Sequence, residues 1–176
     1  MKNKKVALIA SGIVVLSLSA YLIFNQWNKD SLTIKEKPVV QKAGVVIPVI
    51  EIDEERTMSI EEEFPTTMSE YAVQDAIHGM SHQKVHAEDK WGFLPMTQER
   101  VQRLIEVVST FSNNYNSATV YLEILNRWSN NDFTRADKDH NAIWDLQEGN
   151  IGKASGLLSI EEERAFIKKY FKVENE

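Results

Sequence analysis

The sequence predicts an all-α architecture: an N-terminal transmembrane helix, a flexible linker, then a compact bundle of about five helices. Three observations predict it. Val6 to Phe24 is an uncharged run of 19 residues. Residues 28–65 are polar and acid-rich and show no core pattern. From Thr66 onward, apolar residues recur at helical spacing between capping signals.

The first element is the anchor, residues 1–27. At 1.5 Å per helical residue, the Val6–Phe24 run spans roughly 28 Å, close to the hydrocarbon thickness of a bilayer. Lys2, Lys4 and Lys5 precede it, and only Lys29 follows closely. The positive-inside bias then places a cytoplasmic tip before the membrane and everything after Trp27 outside. The expectation is a single-pass cell-membrane protein whose first partner is the lipid bilayer, through residues 6–24. The rival is a cleaved signal peptide with Ser17-Leu18-Ser19 as the cleavage site. The run continues through Phe24, which a spanning helix needs and a signal peptide does not. With no cysteine in the chain, neither a lipidated cysteine nor a disulfide contributes.

The second element, residues 28–65, reads as an acidic linker or stalk. Val45 to Ile50 is β-prone, but Pro48 reduces it to an edge strand at best. Asp53 to Glu63 reads as a solvated, self-repelling segment. The whole chain carries a formal charge of −6 and its first 27 residues carry +3, so the remainder carries −9. That balance argues against nucleic acid as a partner.

The third element, residues 66–176, is the extracytoplasmic helical domain. Thr67-Met68-Ser69-Glu70 caps a helix with Val73, Ala76, Ile77 and Met80 inward. Ser81 to Met96 has no period, and Trp91, Phe93 and Leu94 are expected to plug the core. Thr97 caps a second helix with Val101, Leu104, Ile105, Val108 and Phe111 on one face. A third begins at Ser117, with Val120, Tyr121, Ile124, Leu125 and Trp128 inward. Thr134 to Asp137 opens a fourth that reaches Gln147 and stops at Gly149. Gly149 to Gly156 is a glycine-rich loop, too irregular in spacing to cradle phosphate. Ser159-Ile160-Glu161-Glu162 caps a fifth helix with Ala165, Phe166, Ile167 and Tyr170.

The strings AIHGMSHQKV, EDKWGFL and DHNAIWDLQEGNIGKASGLLS lie between Met68 and Phe171. With the anchor layout, they make the chain resemble a family of small, N-terminally membrane-anchored proteins of unknown function from Bacillus-type bacteria. The resemblance implies a single domain at that address, and no activity, cofactor or catalytic residue.

Two constellations bear on metals. His78, His82 and His86 follow at a four-residue step, and two histidines at i, i+4 share a helical face that suits zinc. Asp137, Asp139, Asn141, Asp145 and Glu148 match positions 1, 3, 5, 9 and 12 of a calcium loop. Ala142 occupies the position where that loop needs glycine, so a helix is expected instead. No cofactor is predicted; zinc at His78 and His82 and calcium at Asp137 and Asp139 are the chemistries left open. A further candidate is a polar pocket of His82, Gln83, His140, Asn141 and Lys153. The leading function is a non-enzymatic binding or regulatory module with an extracytoplasmic protein partner. The alternative is a metal-binding protein or metal-dependent enzyme using His78, His82 and His140.

Overall fold

The computed structural model describes residues 31–40 and 44–174. The expected anchor, residues 6–24, lies outside the described residues. Among the described residues, no helix is long and apolar enough to cross a membrane.

The architecture is mixed α/β, not all-α. Strands β1 (Ser31–Val40) and β2 (Val46–Glu55) pair antiparallel, with Ile34 opposite Ile52 and Pro38 opposite Pro48. A short helix α1 (Ile60–Glu63) leads to α2 (Glu70–Ser81), β3 (Val85–His86) and α3 (Gln98–Thr110). Then come α4 (Ala118–Ser129), α5 (Ala136–Leu146), β4 (Gly156–Leu157) and α6 (Ile160–Tyr170). The two-residue strands β3 and β4 form the second sheet, joining Val85 to Leu157 and His86 to Gly156.

The linker expectation fails for residues 31–55. Leu32, Ile34, Ile50 and Ile52 are buried on one face of the hairpin and pack against Ile167 of α6. Thr33, Lys35 and Asp53, on the alternate positions, are exposed, which is the period-two pattern of a half-buried strand. Pro38 and Pro48 lack an N–H and face each other, so neither removes a bond from another ladder. On its other side, β1 meets the C-terminal tail. Leu32 N–H donates to the Lys172 carbonyl and Glu174 N–H to the Leu32 carbonyl, both at 2.9 Å.

The acidic stretch is not simply solvated either. Arg100 of α3 is fully buried and bonds Glu54 of β2 and, at 2.9 Å, Glu63 of α1. Arg56 pairs with Glu63 at 2.8 Å and with Glu99 at 2.7 Å. Buried charges persist only when paired and hydrogen-bonded; this cluster fastens the hairpin to the helices.

The main core lies between α2, α3, α4 and α5, around Val73, Ile77, Leu104, Tyr121, Trp128 and Ile143. The helical faces read from the sequence are those buried here. Ser69, Thr97 and Ser159 are the N-caps of α2, α3 and α6. Two caps differ from expectation: at α2 the cap is Ser69, so the Thr67–Glu70 capping box does not form, and at α5 Arg135 precedes the helix without a side-chain bond while Thr134 bonds Asp132. Phe93 is partly buried, but Trp91 is 75 % exposed and plugs nothing.

Candidate metal centre

Helix α2 ends at Ser81, and His82 follows as its C-cap in helical conformation. His78 and His82 therefore stay one turn apart on the same face. Helix α5 packs against α2 and brings His140 to them. The ring centroids lie 4.8 Å apart for His78 and His82, 4.5 Å for His78 and His140, and 5.4 Å for His82 and His140. One ring nitrogen from each histidine lies within 4.8 Å of those from the other two. His82 and His140 are 2 % and 0 % exposed, and His78 is half-buried.

Each ring has one nitrogen held by an oxygen that can only accept. His82 Nδ1 donates to the Gly92 carbonyl at 2.7 Å, and His140 Nε2 contacts the Gly152 carbonyl at 3.1 Å. His78 Nδ1 donates to Gln147 Oε1 at 2.5 Å, and Gln147 Nε2 donates to Asp75 at 2.8 Å. This fixes the tautomers and leaves Nε2 of His78, Nε2 of His82 and Nδ1 of His140 as electron-pair donors. An outer layer that takes the second N–H of each imidazole is how proteins orient metal-binding histidines.

Two glycines supply the backbone acceptors, and both are left-handed. Gly92 has φ of 75° and Gly152 has φ of 87°, a region other residues rarely adopt. The loop carrying Gly152 is stapled to α5 by Asn141, whose side chain bonds both the N–H (2.7 Å) and the carbonyl (3.0 Å) of Ala154. Trp144 adds a bond to the Ile151 carbonyl at 2.7 Å.

Burial holds all three histidines neutral. Desolvation, then the neighbouring His78, lowers His82 to about 3 and His140 to about 4. Desolvation also lowers His78. Lys90 donates to the carbonyls of His82 (2.9 Å) and Val85 (2.5 Å), and burial brings it down to about 8. Neutral imidazole is the form that binds a metal.

The other candidates go elsewhere. His86 is exposed and faces Glu162 at 3.4 Å. Asp139 is buried on Arg127 and the Trp128 indole, while Asp137 is half-buried on the α5 surface. Asp137, Asp139 and Asp145 of the calcium pattern are thus spread along a helix, and Glu148 lies beyond its end. Among the described residues, no second group of three metal-ligating side chains comes together. Gln83 turns to Glu163 and the Met96 N–H, each at 2.9 Å. Lys153 is exposed beside Asp145 at 3.3 Å. Of the five pocket residues, only His82 and His140 share a site, with Asn141 bracing it from behind. Sequence reading overlooked Ser81, Gly92 and Gly152; Gln147 carried a signal, standing seven residues after His140 on one helical face.

The fold and the site define a small mixed α/β domain around a histidine triad with two members buried and one half-buried. Residues 77–168 match DUF6241, a family of unknown function, and since this covers more than half of the sequence the chain belongs to that family. The three histidines of the triad and the two glycines that brace it, Gly92 and Gly152, fall inside the match, and the β1–β2 hairpin falls outside it. No curated protein and no solved structure matches the chain significantly.

Proposed function

We propose that this domain is a binding module for a divalent transition metal, held by His78, His82 and His140. The observation that carries the reading is the convergence of the three rings, each with one nitrogen tied to an oxygen acceptor and the other left to donate. Three neutral nitrogen donors without a carboxylate suit zinc, nickel or copper(II) rather than calcium or magnesium. Three protein ligands leave a fourth position for water or another group, but burial of two of the three limits a substrate's access, which favours holding or sensing the ion. The Val6–Phe24 run supports placing this module outside the cell membrane, tethered by its N-terminus.

The test is metal analysis of the purified full chain, with zinc titrated into chelator-treated protein. One zinc per chain is expected, lost in both His82→Ala and His140→Ala. A folded wild-type chain that takes up no zinc, nickel or copper would refute the reading.

A further inference from the structure

Three short contacts meet at Ser81 and His140, and they call for three protons. Ser81 Oγ lies 2.6 Å from the His78 carbonyl oxygen and 2.9 Å from His140 Nδ1. His140 Nε2 lies 3.1 Å from the Gly152 carbonyl oxygen. Carbonyl oxygens only accept, so the first contact uses the hydroxyl proton and the last uses a proton on Nε2. A neutral imidazole has no other to give, and the contact between Ser81 and Nδ1 is left with two electron pairs face to face. Both side chains are 0 % exposed, where such a mismatch is costly. A second proton on His140 would close the gap only by placing a charge in a buried cluster near Lys90. A metal ion that displaces Oγ from Nδ1 closes it without that: the ion takes the Nδ1 electron pair, Ser81 donates to His78, and Nε2 keeps its bond to Gly152.

Resting on the metal-binding reading above, we infer that Ser81 regulates this site, and that His140 coordinates through Nδ1 while His78 and His82 coordinate through Nε2. Without a cation the Ser81 hydroxyl directs its proton to His140 Nδ1. When the ion arrives, that hydrogen bond breaks, the Ser81 side chain moves Oγ off the Nδ1 electron pair, the Nδ1–metal bond forms in its place, and the hydroxyl gives its proton to the His78 carbonyl. No proton leaves the pair. The hydroxyl therefore competes with the metal, and its bond to Nδ1 sets how readily the site fills.

The experiment is nitrogen-15 NMR of the histidine-labelled full chain, loaded with zinc and, separately, with cadmium-113. Cadmium splitting is expected on Nδ1 of His140 and on Nε2 of His78 and His82. Ser81→Ala is expected to keep this pattern and to bind zinc about fivefold to tenfold more tightly, the equivalent of one lost competing hydrogen bond. Splitting on Nε2 of His140, or weaker zinc binding by a folded Ser81→Ala chain, would overturn the inference and leave the metal reading standing. Absence of cadmium coupling at all three histidines would remove both.

Discussion

Glu54 ends beside Arg100, whose side chain is wholly buried, although the two stand 46 positions apart and the acid comes from a stretch that reads as a solvated spacer. Burial raises the Glu54 pKa, and Arg100 opposes that rise. The guanidinium also holds Glu63 and donates to the Pro95 carbonyl at 3.1 Å. Arg100→Met would leave two acids facing each other without their shared cation. The expected loss is about 3–5 kcal/mol, read from denaturant unfolding. A loss under about 1 kcal/mol would mean that the cluster is solvated and the hairpin held by other contacts.

Removing the hairpin should be equally visible. Deleting residues 1–55 strips the Leu32, Ile34, Ile50 and Ile52 face from Ile167 and takes Glu54, one of its two acidic partners, from the buried Arg100. The remainder is expected to melt well below the full chain, or not to fold. Equal melting temperatures would restore the spacer reading of this segment.

The two left-handed glycines of the site, Gly92 and Gly152, differ in a way that can be measured. A Cβ at Gly92 meets nothing within 4 Å, whereas one at Gly152 would lie 2.4 Å from the Asp89 carbonyl oxygen. Gly92→Ala should therefore cost about 1–2 kcal/mol, the backbone penalty alone. Gly152→Ala should cost more and weaken zinc binding, because the loop must move the carbonyl that orients His140. Equal effects in thermal melts and zinc titrations would show that the loop absorbs the clash freely.

Acid should destabilise the chelator-treated chain through the histidines. Their folded pKa values are depressed, to about 3 for His82 and about 4 for His140. Above about pH 6.5 folded and unfolded forms are both neutral, and these groups add no pH dependence. Below it the unfolded chain takes protons first, so stability falls by about 1.4 kcal/mol per pH unit per histidine until the folded pKa is reached. His140→Gln should make that slope shallower in pH-dependent denaturant melts. An unchanged slope would place the acid response elsewhere.

Zinc should stabilise the chain. At a hundredfold its dissociation constant, a ligand that binds only the folded state adds about 2.7 kcal/mol, or about 5–10 °C in a domain of this size. The shift should vanish in His82→Ala, and calcium should produce none. A calcium-driven rise would point back to Asp137 and Asp139.

What the sequence revealed and what it hid follow from the range of the interactions. The faces of α2 to α4 were legible because a 3.6-residue period records burial locally: Val73 and Ile77, Leu104 and Val108, Ile124 and Trp128 all lie inward, whereas on α5 the acid Asp139 is buried and on α6 Tyr170 is exposed. The hairpin was not legible, because its partner Ile167 lies more than a hundred residues downstream and Pro48 masked its alternation. Its buried acid was hidden for the same reason, since composition does not say that Arg100 will reach Glu54. Within the site, the helical step disclosed His78 with His82, and His140 stood beside them only as an alternative, because the packing of α5 on α2 that brings it there while His86 turns to Glu162 leaves no local pattern. Strands β3 and β4, two residues each, leave too short a pattern to detect.

Leu32 shares its backbone hydrogen bonds with Lys172 and Glu174. Residue 31 and residue 174 thus occupy one corner of the domain. A pull applied through the start of β1 would run along that strand and load its bonds to β2 and to the tail together, in shear, before it reached the histidines. A bulky fusion placed after Glu174 would crowd the same corner and push on Leu32, so labels for mechanical or binding measurements belong on an exposed face far from it, such as around Asn126.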